Sequence, residues 1–182
     1  SDPLPARPFN DYARTKLEAE DVVMRASRRG LATVIVRPRA IYGPGDTSSV
    51  RTTLIQYLQR RLPVIPQQTA YSWAHVDDIA AVHINALEQR APGSTYIVAG
   101  PTHTLVEALQ IAQEITGIPV PRSLPPGLFK ALSGMAGVAE TVTTLPELYS
   151  SEGLRVLAGV TYIGDAAKAR RELGFAPRPL RE

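Results

Sequence analysis

The chain has 182 residues, long enough for one domain, or one domain with a smaller lobe, to bury a core. Apolar residues at 44%, charged residues at 20% and aromatics at 6% exclude disorder, collagen and coiled coil. The lack of Cys excludes disulfides, thiolate metal sites and Cys nucleophiles, and the net charge of +3 comes from arginines scattered among acids, which is no nucleic-acid stripe. No apolar run approaches the ~18 residues that a membrane span needs. Ser1 to Pro5 has neither the basic nor the apolar region of a signal peptide. A cytoplasmic protein that crosses no membrane is the expectation.

Pro3, Pro5 and Pro8 make an extended lead-in. Asn10 can cap a helix from about Asp11 to Arg29 that stops at Gly30. Leu31 to Val36 is an apolar, β-branched run without alternation, ended by Pro38, and predicts a strand buried on both faces of a parallel sheet. Ile41 to Asp46 is rich in turn residues and predicts a loop, followed by a helix from about Ser48 to Arg61. Tyr71 to His75 predicts a short strand, and Asp77 can cap a helix through Leu87. Thr95 to Ala99 predicts another strand. Thr104 caps Leu105 to Thr116, which Gly117 ends. Leu124 to Tyr149 reads as apolar helix broken by Gly and Pro, and Asp165 caps a last helix through Leu173, ended by Gly174. Helices alternating with short buried strands indicate an α/β fold. The strands are too few to close an α/β core.

Tyr12 and Lys16 lie one turn apart on the first helix. Ala19, Val23 and Ala26 share that face, where small residues would let the helix lie close against a sheet; Ala13, Leu17 and Met24 form a neighbouring apolar stripe. A free Tyr has a pKa near ~10, and a neighbouring cation favours its phenolate. Such a Tyr can exchange a proton with a substrate hydroxyl or carbonyl while a hydride moves elsewhere. His75, Asp77 and Asp78 suggest a metal site only at first sight, because Asp77 is better used as a helix cap. His83 belongs on a helix face, and His103 has no partner at ligand spacing.

The stretch YARTKLEAE (Tyr12 to Glu20) resembles the catalytic helix of the short-chain dehydrogenase/reductase superfamily. It is most similar to the extended branch, with its epimerases, dehydratases, dihydroflavonol reductases and 3β-hydroxysteroid dehydrogenases. VIVRPRAIYGPGD (Val34 to Asp46), AHVDDIAAVHINALE (Ala74 to Glu88) and DAAKARRELGFAPRPL (Asp165 to Leu180) resemble later segments of that family, in order. The resemblance implies the C-terminal part of a doubly wound Rossmann-type fold. Residues 1–100 would be the C-terminal half of the Rossmann-type domain, and 101–182 mainly a small, mostly helical substrate lobe interleaved with it. It implies Tyr12 as catalytic acid/base and Lys16 as the residue that holds the nicotinamide ribose and lowers the Tyr12 pKa. Pro38 and Arg39 would border the nicotinamide of NAD or NADP, and Ala40, Tyr42 and Tyr71 would face the substrate.

The chain departs from the family in its missing Gly-rich phosphate turn and catalytic Ser or Thr. Gly43 and Gly45 sit in a loop with Ser48 where a third Gly is needed, and Gly134 and Gly137 follow no strand. The resemblance thus covers a C-terminal half, and an N-terminal Rossmann half, in cis or in trans, is expected to complete cofactor binding; the 182 residues alone are expected to be inactive. Nucleotide-sugar enzymes of the family often carry Asn at the position of Ala40 and an Arg for the diphosphate near Tyr71. Their absence favours an NAD(P)-dependent oxidoreductase acting on a small-molecule carbonyl or alcohol, with the apolar Leu124 to Val142 stretch as a pocket lining. A nucleotide-sugar epimerase or dehydratase, and a non-catalytic module needing a partner half, are the alternatives. The family often forms homodimers through the catalytic helix.

Overall fold

The computed structural model describes residues 11–89, 92–128, 131 and 161–182. In chain order these form α1 (Asp11–Arg28), β1 (Ile35–Pro38), β2 (Ala40–Tyr42), α2 (Ser49–Leu58), β3 (Val64–Pro66), β4 (Ala70–His75), α3 (Val76–Glu88), β5 (Thr95–Val98), β6 (Thr102–Thr104), α4 (Leu105–Thr116), β7 (Arg122–Leu124) and α5 (Ala167–Leu173). The strands pair as β1 with β5, β2 with β4 and β3 with β7, all parallel, and β4 with β6 antiparallel. The Pro-rich lead-in, Asn10, Gly134, Gly137 and most of the Leu124 to Tyr149 stretch lie outside the described residues.

β4 divides the interior. Successive strand residues point to opposite faces, and Trp73 and Ala74 enter different clusters. Ala74 packs with Ile79, Val82, Tyr96, Val98, Ala169, Leu173 and Phe175, between α3, β5 and α5. Trp73 packs with Tyr57, Ile65, Leu105 and Leu109, between α2 and α4. Both large aromatics of the second cluster satisfy their polar atoms: Trp73 Nε1 donates to the His103 carbonyl (3.1 Å), and Tyr57 Oη donates to the Ile118 carbonyl.

Local signals set α4 as expected. Thr104 Oγ1 accepts from the Glu107 N–H, the Glu107 carboxylate accepts from the Thr104 N–H, and Gly117 takes φ 70° to end the helix. Elsewhere the chain corrects the reading. The Leu31–Val36 strand is shifted to Ile35–Pro38 and is half-buried, not buried. Gly30 at φ 99° lets the Leu31 N–H reach back to the Ala26 carbonyl (3.2 Å), so Leu31 still belongs to the closing turn of α1. The Ile41–Asp46 loop begins only at Gly43, because Ala40–Tyr42 finds a parallel partner in Trp73–His75. α2 ends at Leu58, before the expected Arg61, where Arg60 turns to φ 57°.

Two caps differ from the sequence expectation. α3 is capped by His75, whose Nδ1 accepts the Asp77 N–H (3.2 Å). Asp77 sits exposed in the first turn, where its charge faces the positive end of the helix dipole. Asp165 stands one residue ahead of the N-cap Ala166 and accepts the Ala167 N–H (2.8 Å).

α1 also turns a different face inward. Of the expected face, Lys16, Ala19 and Val23 are exposed and only Ala26 is half-buried, whereas Ala13, Leu17, Glu20 and Met24 are half-buried. The charged member of that stripe explains the choice. Glu20 pairs with Arg37 on β1 (Arg37 Nε to Oε2, 3.1 Å), with both side chains mostly shielded. A shielded carboxylate without that guanidinium would be costly, so the pair sets the rotation of α1.

Candidate active site

β1 and β2 are separated by one residue, and the chain changes partner there. Pro38 is the last residue in register with β5, opposite Val98, while Ala40 already pairs with Trp73 of β4. Arg39 holds the junction, its N–H donating to the Val98 carbonyl (3.0 Å). Parallel strands that diverge leave a crevice at their carboxyl ends. Here it is a cleft of about 740 Å³, lined by 38–50 together with Tyr71, Val76 and Tyr162.

The rim after β2 is a braced turn. Gly43 adopts φ 131°, and a Cβ there would lie 2.8 Å from Val76 Cγ1 and 3.0 Å from His75 Nε2. Only a residue without a side chain lets this turn approach the start of α3. Asp46 Oδ1 then accepts the Ser48 N–H (2.7 Å), and Ser48 Oγ accepts the Val50 N–H (3.1 Å) to start α2.

An aromatic wall faces this rim. Tyr71 and Tyr162 stack with centroids 5.9 Å apart and planes within 5°. Trp73 meets Tyr71 edge-on at 5.4 Å, and Tyr42 meets Trp73 and His75 edge-on at 6.3 and 5.3 Å. Burial, with help from Tyr162, pushes the Tyr71 phenol up to about 12. Burial, then the Asp78 charge, raises the Tyr42 phenol above its ordinary value. Both therefore stay neutral near pH 7. Tyr42 Oη and Arg39 Nε are buried without a hydrogen-bond partner.

Behind Tyr42, Asp78 ties the C-terminal segment to α3. Its carboxylate accepts the Arg178 N–H (2.9 Å), Nε (3.0 Å) and Nη2 (2.7 Å). Burial pushes the Asp78 carboxyl up, but the Arg178 side chain and N–H, with His75, outweigh it and hold it below the usual range. A depressed native pKa stabilises the fold above the unfolded value near ~4 and loses that contribution as pH falls through the native value. Asp78→Asn is therefore expected to melt several degrees below the parent at pH 7, with the gap narrowing as the pH falls below about 4. Thermal unfolding followed by circular dichroism at pH 7 and pH 3 checks this; a gap that persists undiminished at pH 3 contradicts it.

Pro38, Arg39, Ala40, Tyr42 and Tyr71 thus share one cleft. Lys16 is exposed on α1, and the side chain of Tyr12 lies outside the described residues. Tyr162, Trp73 and the Glu20–Arg37 pair escaped the sequence reading. A carboxylate inside the inward stripe of α1 was a readable signal for the pair. Nothing in the sequence links Tyr71 to Tyr162. Among the described residues no group of three or more His, Cys, Asp or Glu could hold a metal ion, and no helix is long and apolar enough to cross a membrane.

Known proteins resemble the chain over its whole length. It is 31% identical over 97% of its length to sterol demethylase protein B of Methylococcus capsulatus, covering 55% of that protein. It is 32% identical over 98% of its length to the 4-hydroxy-2-methyl-3-oxo-4-farnesyl-3,4-dihydroquinoline-1-oxide ketoreductase of Stigmatella aurantiaca, covering 54% of it. The crystal structure of gox2253 superposes with a TM-score of 0.75 at 26% identity, over all of this chain and 58% of that one. Several other solved structures that share the fold hold NAD or NADPH. The chain spans about half the length of the curated relatives it matches. Residues 1–99, which carry Tyr12, Lys16 and most of the cleft, match the NAD dependent epimerase/dehydratase family, and the chain belongs to that family, with its Rossmann-type α/β fold.

Proposed function

We propose that the chain is the catalytic half of an NAD(P)-dependent reductase or dehydrogenase acting on a carbonyl or alcohol with an apolar body. The observation that carries this reading is the cleft wall. Where a diphosphate would need several cationic or amide donors, the cleft presents the neutral, stacked phenols of Tyr71 and Tyr162 and a single cationic side chain, Arg39. The relative from Stigmatella aurantiaca, named a ketoreductase with a farnesyl-bearing substrate, supports the same class.

The cleft suits the nicotinamide end of the cofactor. It opens where β1 and β2 diverge, and Pro38 and Ala40 offer a small apolar lip for a flat ring. The Gly43–Gly45 turn that follows β2 has Ser48 where the phosphate-binding pattern needs a third Gly, so the pyrophosphate is assigned to an N-terminal half, in cis or in trans. When bound, NAD or NADP supplies or accepts the hydride. Tyr12 exchanges the proton with the substrate oxygen, and Lys16 favours its phenolate. Pro38 and the backbone of Arg39 border the nicotinamide, while Ala40, Tyr42 and Tyr71 shape the substrate side.

Isotope transfer tests the reading. The full-length protein is supplied with reduced cofactor deuterated at the transferred position and with β-tetralone, an apolar bicyclic ketone. Deuterium on the carbinol carbon, matched by cofactor oxidation, is expected. Epimerisation of a UDP-sugar without net cofactor consumption, and no label in any alcohol, would sink it in favour of the epimerase alternative.

A further inference from the structure

Three arginines among the described residues are half-buried: Arg37, Arg39 and Arg178. Two have a carboxylate to themselves, Arg37 with Glu20 and Arg178 with Asp78. Arg39 has none. Its Nε is fully shielded and makes no hydrogen bond. Asp46, the acid in the same cleft, has its Oδ1 engaged by the Ser48 N–H.

The fold makes room for this side chain deliberately. Gly164 lies against it, and a Cβ there would stand 2.8 Å from Arg39 Nε and 2.8 Å from Ile97 Cγ2. The Gly164 N–H donates to Ser72 Oγ (3.2 Å), and Tyr162, two residues earlier, exchanges backbone bonds with β4 through Ser72 and Ala70 (3.0 and 2.9 Å). One short segment therefore packs against Arg39 Nε and supplies Tyr162 to the stack, and Arg39, Tyr71 and Tyr162 all line the cleft.

Shielding part of a guanidinium, here its Nε, without a counter-charge is costly. The same molecule pairs its two other half-buried arginines, so the missing partner at Arg39 points to an anion that arrives with a ligand. We propose that Arg39 reads a carboxylate on the substrate, an oxo or hydroxy acid whose apolar body lies along Tyr71 and Tyr162. The planar fork of one guanidinium matches one carboxylate. A diphosphate would bring more charge than one fork can meet, beside the acidic Asp46. The proposal rests on the cleft being the substrate site of the proposed oxidoreductase.

Calorimetric titration of the full-length protein, with oxidised cofactor present, tests it. The probes are β-naphthoate, a flat apolar carboxylate with no carbonyl to reduce, and its methyl ester. The acid is expected to bind about tenfold or more tighter than the ester, the worth of one charge-assisted bond. Arg39→Gln is expected to bring the two within about twofold of each other by weakening only the acid, and Arg39→Lys, which keeps the charge, to retain part of the preference. Equal binding of acid and ester by the parent, or a preference that survives in Arg39→Gln, overturns the proposal. So does an Arg39→Gln defect that falls on cofactor affinity instead, which would give the guanidinium to a cofactor phosphate. These titrations involve no turnover. Failed deuterium transfer with an intact acid preference would therefore refute the oxidoreductase reading and leave the carboxylate contact standing.

Discussion

Tyr12→Phe in the full-length protein is expected to lower kcat by about a hundredfold to ten-thousandfold, the usual worth of a positioned acid or base. That corresponds to roughly 3–5 kcal/mol of transition-state stabilisation. The phenyl ring keeps the shape of the side chain and removes only the exchangeable proton. Cofactor affinity is accordingly expected to stay within a few-fold of the parent. Lys16→Met provides the complementary result. Loss of the neighbouring cation should move the basic limb of the pH–rate profile upward, because the phenolate is then harder to form. It should also weaken the cofactor, which Tyr12→Phe does not. Steady-state kinetics across pH, with cofactor binding measured separately, reads both. Full activity in Tyr12→Phe would remove Tyr12 from the chemistry and the oxidoreductase reading with it.

Gly100→Ala is expected to produce the largest loss of stability of any Gly→Ala substitution among the described residues. A Cβ at Gly100 would lie 1.7 Å from the Trp73 carbonyl oxygen, 2.7 Å from its carbon and 3.2 Å from Ala74 Cα. All three are backbone atoms, so no rotamer change relieves the clash. The two segments are also clamped by the Trp73 N–H donating to the Pro101 carbonyl at 2.9 Å. Separating them displaces β4 at the very residues that feed the two hydrophobic clusters. A cost above about 3 kcal/mol follows from overpacking of this kind. Gly93→Ala gives the contrast. Gly93 adopts φ 77° with nothing within 4 Å of a Cβ, so only conformational strain opposes the substitution, about 1 kcal/mol. Urea unfolding followed by the fluorescence of Trp73, the one Trp in the chain, reads both variants. A Gly100→Ala midpoint no lower than that of Gly93→Ala would contradict the packing argument.

Features that depend on neighbours within one helical turn, and the order of the motifs, were legible from the residues alone. Thr104, Glu107 and Gly117 delimit α4 because their bonds close over three or four residues. The segments Tyr12 to Glu20 and Val34 to Asp46 were enough to indicate the family, and the matched residues 1–99 include both. Tertiary structure decided the rest. β3, β6 and β7 are three residues each, too short for any periodicity, and exist because β7, β4 and β3 lie beside them to take their hydrogen bonds. The inward face of α1 was chosen by Arg37 on another element, not by the smallest residues on the helix. His75 displaced Asp77 as a cap because it enters α3 from a buried strand end, with its ring held edge-on by Tyr42. Arg39 looks in the sequence like one arginine among 17. That its Nε has no partner among the described residues is a property of what packs round it from β5, Gly164 and the rim of the cleft. Such contacts join positions far apart in the chain. No local propensity encodes them, because their free energy arises only when burial removes the water that would otherwise satisfy each group.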